Sequence, residues 1–196
     1  MKGALDIIKA EHRALAAVLT ALQSYVNGIV TGRYEPDFEV LDAMIQYITE
    51  LPDQVHHPKE DQFLFVALRR RSPEAAAVLD VLEKEHRNIH NAWTALAAAL
   101  ADFRVAGAAG APAFKVAVDR YFDFQWQHMS KEETQVMPLA RKALAADDWA
   151  AIDAAFNAND NPWEGPAGKY KALFTRIVSL VPAPIGVGAD HRPPNA

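Results

Sequence analysis

Two motifs recur in this chain at nearly constant spacing. Glu11-His12-Arg13 returns as Glu85-His86-Arg87, and His56-x-x-Lys59-Glu60-Asp61 returns as His128-x-x-Lys131-Glu132-Glu133. The first pair is offset by 74 residues and the second by 72. A repeated unit of this size cannot bury its apolar face alone, so the two copies must pack on each other. Each copy offers one His from a first segment and a His-x-x-x-Glu from a second. Related by a pseudo-two-fold axis, both sets would point into one core.

Periodicity says what the segments are. Leu5, Ile8, His12, Leu15, Leu19, Leu22 and Val26 recur at three- and four-residue steps, the period of one helix face. Thr31-Gly32 and Pro36 end that helix. The next segment runs from about Asp37 to Arg71 with Leu41, Ile45 and Ile48 on one stripe, and Pro52 and Pro58 predict a kink or restart within it. Ser72-Pro73-Glu74 reads as an N-cap with proline in the first turn. Leu79, Leu82, His86, His90, Trp93 and Leu100 mark a third helix. The Gly107–Pro112 loop precedes a fourth, with Phe114, Val118, Tyr121 and His128 inside. The fold expected is all-α, an antiparallel up-down four-helix bundle with additional C-terminal helices. Residues 1–146 form the bundle and 147–181 a helical extension packed on it. That extension opens at Asp147-Asp148-Trp149, passes a loop at Asn159–Pro166 and ends in a helix at Ala167–Val181. The Pro/Gly-rich residues 182–196 read as a loose tail.

Composition narrows the chemistry. With no cysteine, disulfide frameworks, thiolate zinc sites and iron–sulfur clusters are excluded, so any metal must sit on nitrogen and oxygen. The formal charge of -5 comes from interspersed acidic and basic residues, which leaves no basic face for nucleic acid or an anionic membrane. No apolar run is long enough to cross a bilayer. Lys2, Asp6, Lys9 and Glu11 do not read as a signal peptide, and the expected location is the cytoplasm.

Of the seven histidines, His12, His56, His86, His90 and His128 fall on the expected inner stripes, together with Glu60 and Glu132. Residues four apart share a helix face, so His86 and His90 can hold one ion together, while His56/Glu60 and His128/Glu132 each set an imidazole beside a carboxylate. A lone buried His is more often a hydrogen-bonded core residue, and a single His-x-x-x-Glu is common on solvated faces. Burying five histidines and two glutamates without a cation, however, would be costly. Such donors suit borderline transition metals such as iron and suit calcium or magnesium poorly. Bridging carboxylates would offset the repulsion between two cations. His57, four residues before Asp61, offers a rival register, but aligning the copies on Lys-Glu sets His56 opposite His128 and leaves His57 behind the ligands or facing solvent. Glu133 rivals Glu132 in the same way, and the repeat favours Glu132. His191, in the tail, reads as inert.

The order His12, His56-x-x-x-Glu60, His86-x-x-x-His90, His128-x-x-x-Glu132 resembles the hemerythrin-like, or HHE cation-binding, family in its bacterial form, over residues 1 to about 146. The resemblance implies a non-heme di-iron centre with an oxo or hydroxo bridge. His12 and His56 would hold one iron, His86, His90 and His128 the other, and Glu60 and Glu132 would bridge them. Invertebrate members place an aspartate five residues after the last His, where Glu133 stands here; bacterial members use a glutamate at four.

These ligands leave the iron of His12 and His56 one short, because Ala16 stands where the second copy has His90. O2, or NO, is expected to bind there, for oxygen binding or for oxygen or redox sensing. Oxygen-activating ferritin-like sites are carboxylate-rich; this histidine-rich set favours binding over catalysis. Two other classes fit the pattern. One is an iron-centre repair or iron-handling stress protein, although relatives of that kind typically carry a cysteine-bearing extension and this sequence has no cysteine. The other is a regulatory module whose metal gates a partner surface through the helices after Asp147. A protein partner or a homo-oligomer is compatible with each.

Overall fold

The computed structural model describes residues 3–158, 166–181 and 186, and no strand occurs among them. Helix α1 spans Ala4–Val30. It stops at Gly32, whose φ of 74° is left-handed, so that Arg33 and Tyr34 donate back to the Gly28 carbonyl. The Tyr34 ring lies over Gly28 so closely that a Cβ there would meet it at 2.2 Å. Helix α2, Phe38–Leu51, is N-capped by Asp37, whose carboxylate accepts from the Glu39 and Val40 amides.

Past Leu51 the second segment continues without breaking. A π turn at Pro52–His56 leads into a short α3, His57–Lys59, then a second π turn at Glu60–Leu64 and α4, Phe65–Arg71. The kink expected at Pro52 is thus a widened turn. A 3-10 turn at Pro73–Ala75 leads into α5, Ala76–Ala106, although Ser72 makes no side-chain cap. After a second 3-10 turn at Gly107–Gly110, α6 covers Ala111–Lys131, a π turn covers Glu132–Val136, and α7 covers Met137–Ala143. These four segments form the bundle, with α5 against α6 and α1 against both α6 and α2.

Two further helices pack on it. Helix α8, Ala146–Asn157, presents Ile152 and Phe156 to the core and takes the Ala4 amide on Asp153 at 2.6 Å. Its start is held by Asp148, which accepts from the Ala145 amide and pairs with Arg71. Helix α9, Pro166–Leu180, lies on α2, with Phe174 against Tyr47 and Arg176 paired to Glu39. The expected tail lies almost wholly outside the described residues, as do His191 and most of the 159–166 loop. No helix among the described residues is long and apolar enough to cross a membrane.

The core is divided. One apolar cluster gathers Leu15 to Ile29, Val40 to Val55, Leu96 to Phe103 and Ala111 to Met129; another gathers Ala4 to Ile8, Leu64 to Leu68, Ala75 to Leu82 and Val136 to Ala140. Where each bundle segment passes from one cluster to the other it carries a buried histidine, joined by Glu60 on the second segment and Glu132 on the fourth. Each fully buried Leu or Phe contributes about 2 kcal/mol, and that apolar packing on both sides is what can hold a polar layer dry.

Candidate metal centre

The polar layer is a cage of imidazoles around two carboxylates. His12 comes from α1, His56 and Glu60 from the π-turn region after α2, His86 from α5, and His128 and Glu132 from the α6–π junction. All six are buried, with Glu60 and Glu132 each 1% exposed. The Nε2 atoms of His12 and His56 approach to 3.1 Å, and those of His86 and His128 to 3.2 Å. Glu132 lies 3.1 Å from Nε2 of both His12 and His128, while Glu60 lies 3.4 Å from His56 and 3.8 Å from His86.

The outward nitrogens explain the tautomers. Each Nδ1 meets a carboxylate: His12 meets Glu133 at 2.9 Å, His56 meets Glu11 at 2.7 Å, His86 meets Asp61 at 2.8 Å and His128 meets Glu85 at 2.9 Å. A carboxylate only accepts, so Nδ1 carries the proton and the Nε2 lone pairs converge inside. The pairing obeys the repeat, since Glu11 and Glu85 each precede a first-helix His and Asp61 and Glu133 each follow a cage glutamate. Lys131 adds a further contact to Glu85 at 2.5 Å.

Converging lone pairs and buried carboxylates are poor company without a cation. Both oxygens of Glu132 and Oε2 of Glu60 are buried with no hydrogen-bond partner, an arrangement native proteins avoid. Burial, and then the neighbouring Glu132, pushes the Glu60 carboxyl well above its usual range. Burial also penalises Glu132, but His128 and His12 outweigh it and hold that carboxyl well below its usual range. For His128 burial is likewise overcome, by Glu132 and Glu85, and its pKa rises to about 9. A bound cation would let both glutamates ionise. Around the cage, against burial, His56 and then Lys59 lower the Glu11 carboxyl, and Lys131 pairs with Glu85. Two buried glutamates, with four carboxylates behind the imidazoles, suit a pair of cations. The residues present fit such a pair.

The structure places two histidines otherwise than the sequence reading expects. His90 does not join the cage. The buried stripe of α5 runs Leu82, His86, Ile89, Leu96, Leu100 and Phe103, so the step after His86 is three residues rather than four. His90 is exposed, with its ring edge-on to Trp93 at 4.4 Å. The repeat itself held this signal, because Ile89 and His90 align with Leu15 and Ala16. His57, in turn, is inside. It is 4% exposed, stacks on His86 at 4.0 Å and meets His128 edge-on at 5.3 Å. Its Nδ1 has no hydrogen-bond partner, and burial drives its pKa well down, which leaves it a neutral donor. His56 meets His12 of α1 while His57 meets His86 of α5, so this stretch buries an arc wide enough for both, where the sequence reading allowed a single stripe. Among the described residues two donor groups therefore stand out: His57, His86 and His128, and His12, His56, Glu60 and Glu132.

The two sides differ in access. Phe65 stacks on His86 at 5.7 Å, so that ring has His57 and Phe65 as close neighbours. His12 instead borders a cavity of about 290 Å³ lined by Arg13, Ala16, Trp126, Met129, Ser130, Glu133 and Thr134.

Sequence comparison agrees with this architecture. The chain matches the family described as hemerythrin HHE cation binding domain over residues 3–140. The protein belongs to the hemerythrin HHE cation-binding family, a class defined by a helical bundle and a metal-ion site. A search of curated proteins gives no match.

Proposed function

We propose that this protein holds two iron ions and binds a small diatomic ligand, O2 or NO, on the His12 side of the pair. His12 and His56 would hold one ion and His57, His86 and His128 the other, with Glu60 and Glu132 shared. The observation that carries this reading is the pair of donor groups set around two buried glutamates, three of whose four carboxylate oxygens have no hydrogen-bond partner. Calcium and magnesium prefer an all-oxygen shell, whereas imidazole suits iron. Iron, when bound, supplies an exchangeable coordination position and an electron that a diatomic ligand can share.

The chain's own residues determine where that ligand can approach. His57 and Phe65 crowd the His86 side. Ala16 and Met129 leave the His12 side open to a cavity of about 290 Å³, roomy beside the roughly 30 Å³ that a water occupies in the liquid. Trp126 walls it, and Arg13 and Ser130 form its exposed rim. Five imidazoles with two carboxylates favour binding or sensing over oxidation catalysis. Helices α8 and α9 extend the family domain, and residues 3–158 with 166–181 act as one packed unit. Metal analysis and absorption spectra of anaerobically reconstituted protein test the reading. Two irons per chain are expected, with an absorption spectrum that changes on adding O2, NO or azide. One ion or none, or a spectrum indifferent to all three, overturns it.

A further inference from the structure

The inner stripes of the two copies do not stay in phase. Above the cage, the buried residues Leu41, Ile45, Ile48 and Pro52 match Phe114, Val118, Tyr121 and Gln125, an offset of 73. At the cage and below it, His56, Glu60 and Leu64 match His128, Glu132 and Val136, an offset of 72. The first copy therefore holds one extra residue between Ile48 and His56. The π turn at Pro52–His56 takes it up, since an i→i+5 turn contains one residue more than an α turn. The second copy has no such turn before His128, and α6 runs regularly to Lys131. Regular α-helix through Pro52–His56 would rotate His56, His57 and Glu60 by about 100° out of the cage.

Pro52 has no amide N–H, so it cannot give the Ile48 carbonyl its i+4 donor, and its ring crowds that carbonyl. Tyr121 supplies the missing bond. Its buried hydroxyl donates to the Ile48 carbonyl at 2.9 Å, and the Gln125 amide donates to the Tyr121 oxygen at 2.9 Å. Tyr121 and Gln125 are the counterparts of Ile48 and Pro52, so one copy repairs the defect in the other. We propose that Tyr121 is a positioning residue: by replacing the donor that Pro52 lacks, it holds the π turn that rotates His56 and His57 into the cage. The positioning rests on these contacts alone, while its effect on metal binding rests on the two-iron reading.

Carbethoxylation of the histidines of cation-free protein with diethylpyrocarbonate, read by mass spectrometry, tests this. In the unaltered protein exposed His90 reacts, and His12, His56, His57, His86 and His128 are protected. Tyr121→Phe keeps the ring and removes only the donor. His56 and His57 should then react about tenfold faster, the scale of effect that supporting contacts have on a metal site, with His12 and His86 unchanged. Adding Pro52→Ala to Tyr121→Phe restores an amide at residue 52 and should return the protection. Unchanged rates at His56 and His57, equal acceleration at all five buried histidines, or no rescue by Pro52→Ala overturns the proposal. In a parallel Co2+ titration, Tyr121→Phe should weaken binding about tenfold, again with rescue by Pro52→Ala. If the unaltered protein takes up fewer than two Co2+, the two-ion reading fails, and the carbethoxylation rates still decide the role of Tyr121.

Discussion

The two copies of the repeat build matching half-cages and then part at one position. Each contributes an inward imidazole from its first helix, a second from the following helix, a shared glutamate and two outer carboxylates. One residue past the second imidazole the first copy has His57, stacked on His86, and the second has Met129, lining the cavity beside His12. The matching residues give the outer carboxylates and the convergent imidazoles. The mismatch gives the direction, because one side gains a donor and loses its space. A symmetric cage would bind metal equally well and offer a ligand no preferred approach.

The most severe way to break the comparison is to remove what both halves share. Glu132→Ala should lose both ions by metal analysis. A partner at about 1,000 times its Kd adds about 4 kcal/mol, so the melting temperature should fall by about 10 °C in a chain of this size. An unchanged melting temperature would show that the cage is stable without cations.

Exchanging the residues at the point of divergence should move the asymmetry. His57→Met is expected to lose one ion and keep the other. Met129→His should keep both ions and abolish azide binding, checked by azide titration in the visible spectrum; normal azide binding there would place the open side elsewhere. Milder changes probe the outer carboxylates. Glu133→Gln and Asp61→Asn should each weaken metal affinity about 10- to 100-fold, by similar amounts, if the halves are equivalent behind their imidazoles.

The smallest effects test what lies outside the cage. Deleting exposed Asp53 removes the extra residue, converts the π turn to α and should leave both ions bound within about threefold, because the register is then regular. His90→Ala should keep both ions and change stability by no more than about 0.5 kcal/mol in chemical denaturation. Loss of an ion in that variant would return His90 to the ligand set.

The bundle and most of the cage were legible because the repeat is a geometric statement: two copies offset by 72 to 74 residues must face each other. His12, His56, Glu60, His86, His128 and Glu132 all followed from it. His90 misled because a four-residue step is as helical as a three-residue step, and only the neighbours reveal which one a stripe takes; α5 takes three. His57 was hidden because helix packing buries an arc, while a pattern search looks for a line. The π turn was legible only as two prolines, since its cause is a one-residue mismatch between stripes that appears once both copies are folded. Tyr121 read as ordinary core packing, because nothing local announces that its hydroxyl serves a carbonyl on another helix.

The polar layer between the two apolar clusters bears on cooperativity. Every bundle segment crosses that layer, so the two clusters meet there through buried polar side chains, among them Glu60 and Glu132, which disfavour each other's charge when no cation is present. Without cations the cluster of Ile8, Phe65, Leu79 and Phe156 and the cluster of Leu22, Met44, Phe103 and Phe114 can open separately, and hydrogen exchange should resolve two subglobal units. With the cage filled, opening either end requires breaking bonds that belong to both. Metal loading would then act as the clasp that turns two weakly joined folding units into one, and iron supply would govern the lifetime of the folded chain as well as what it can bind.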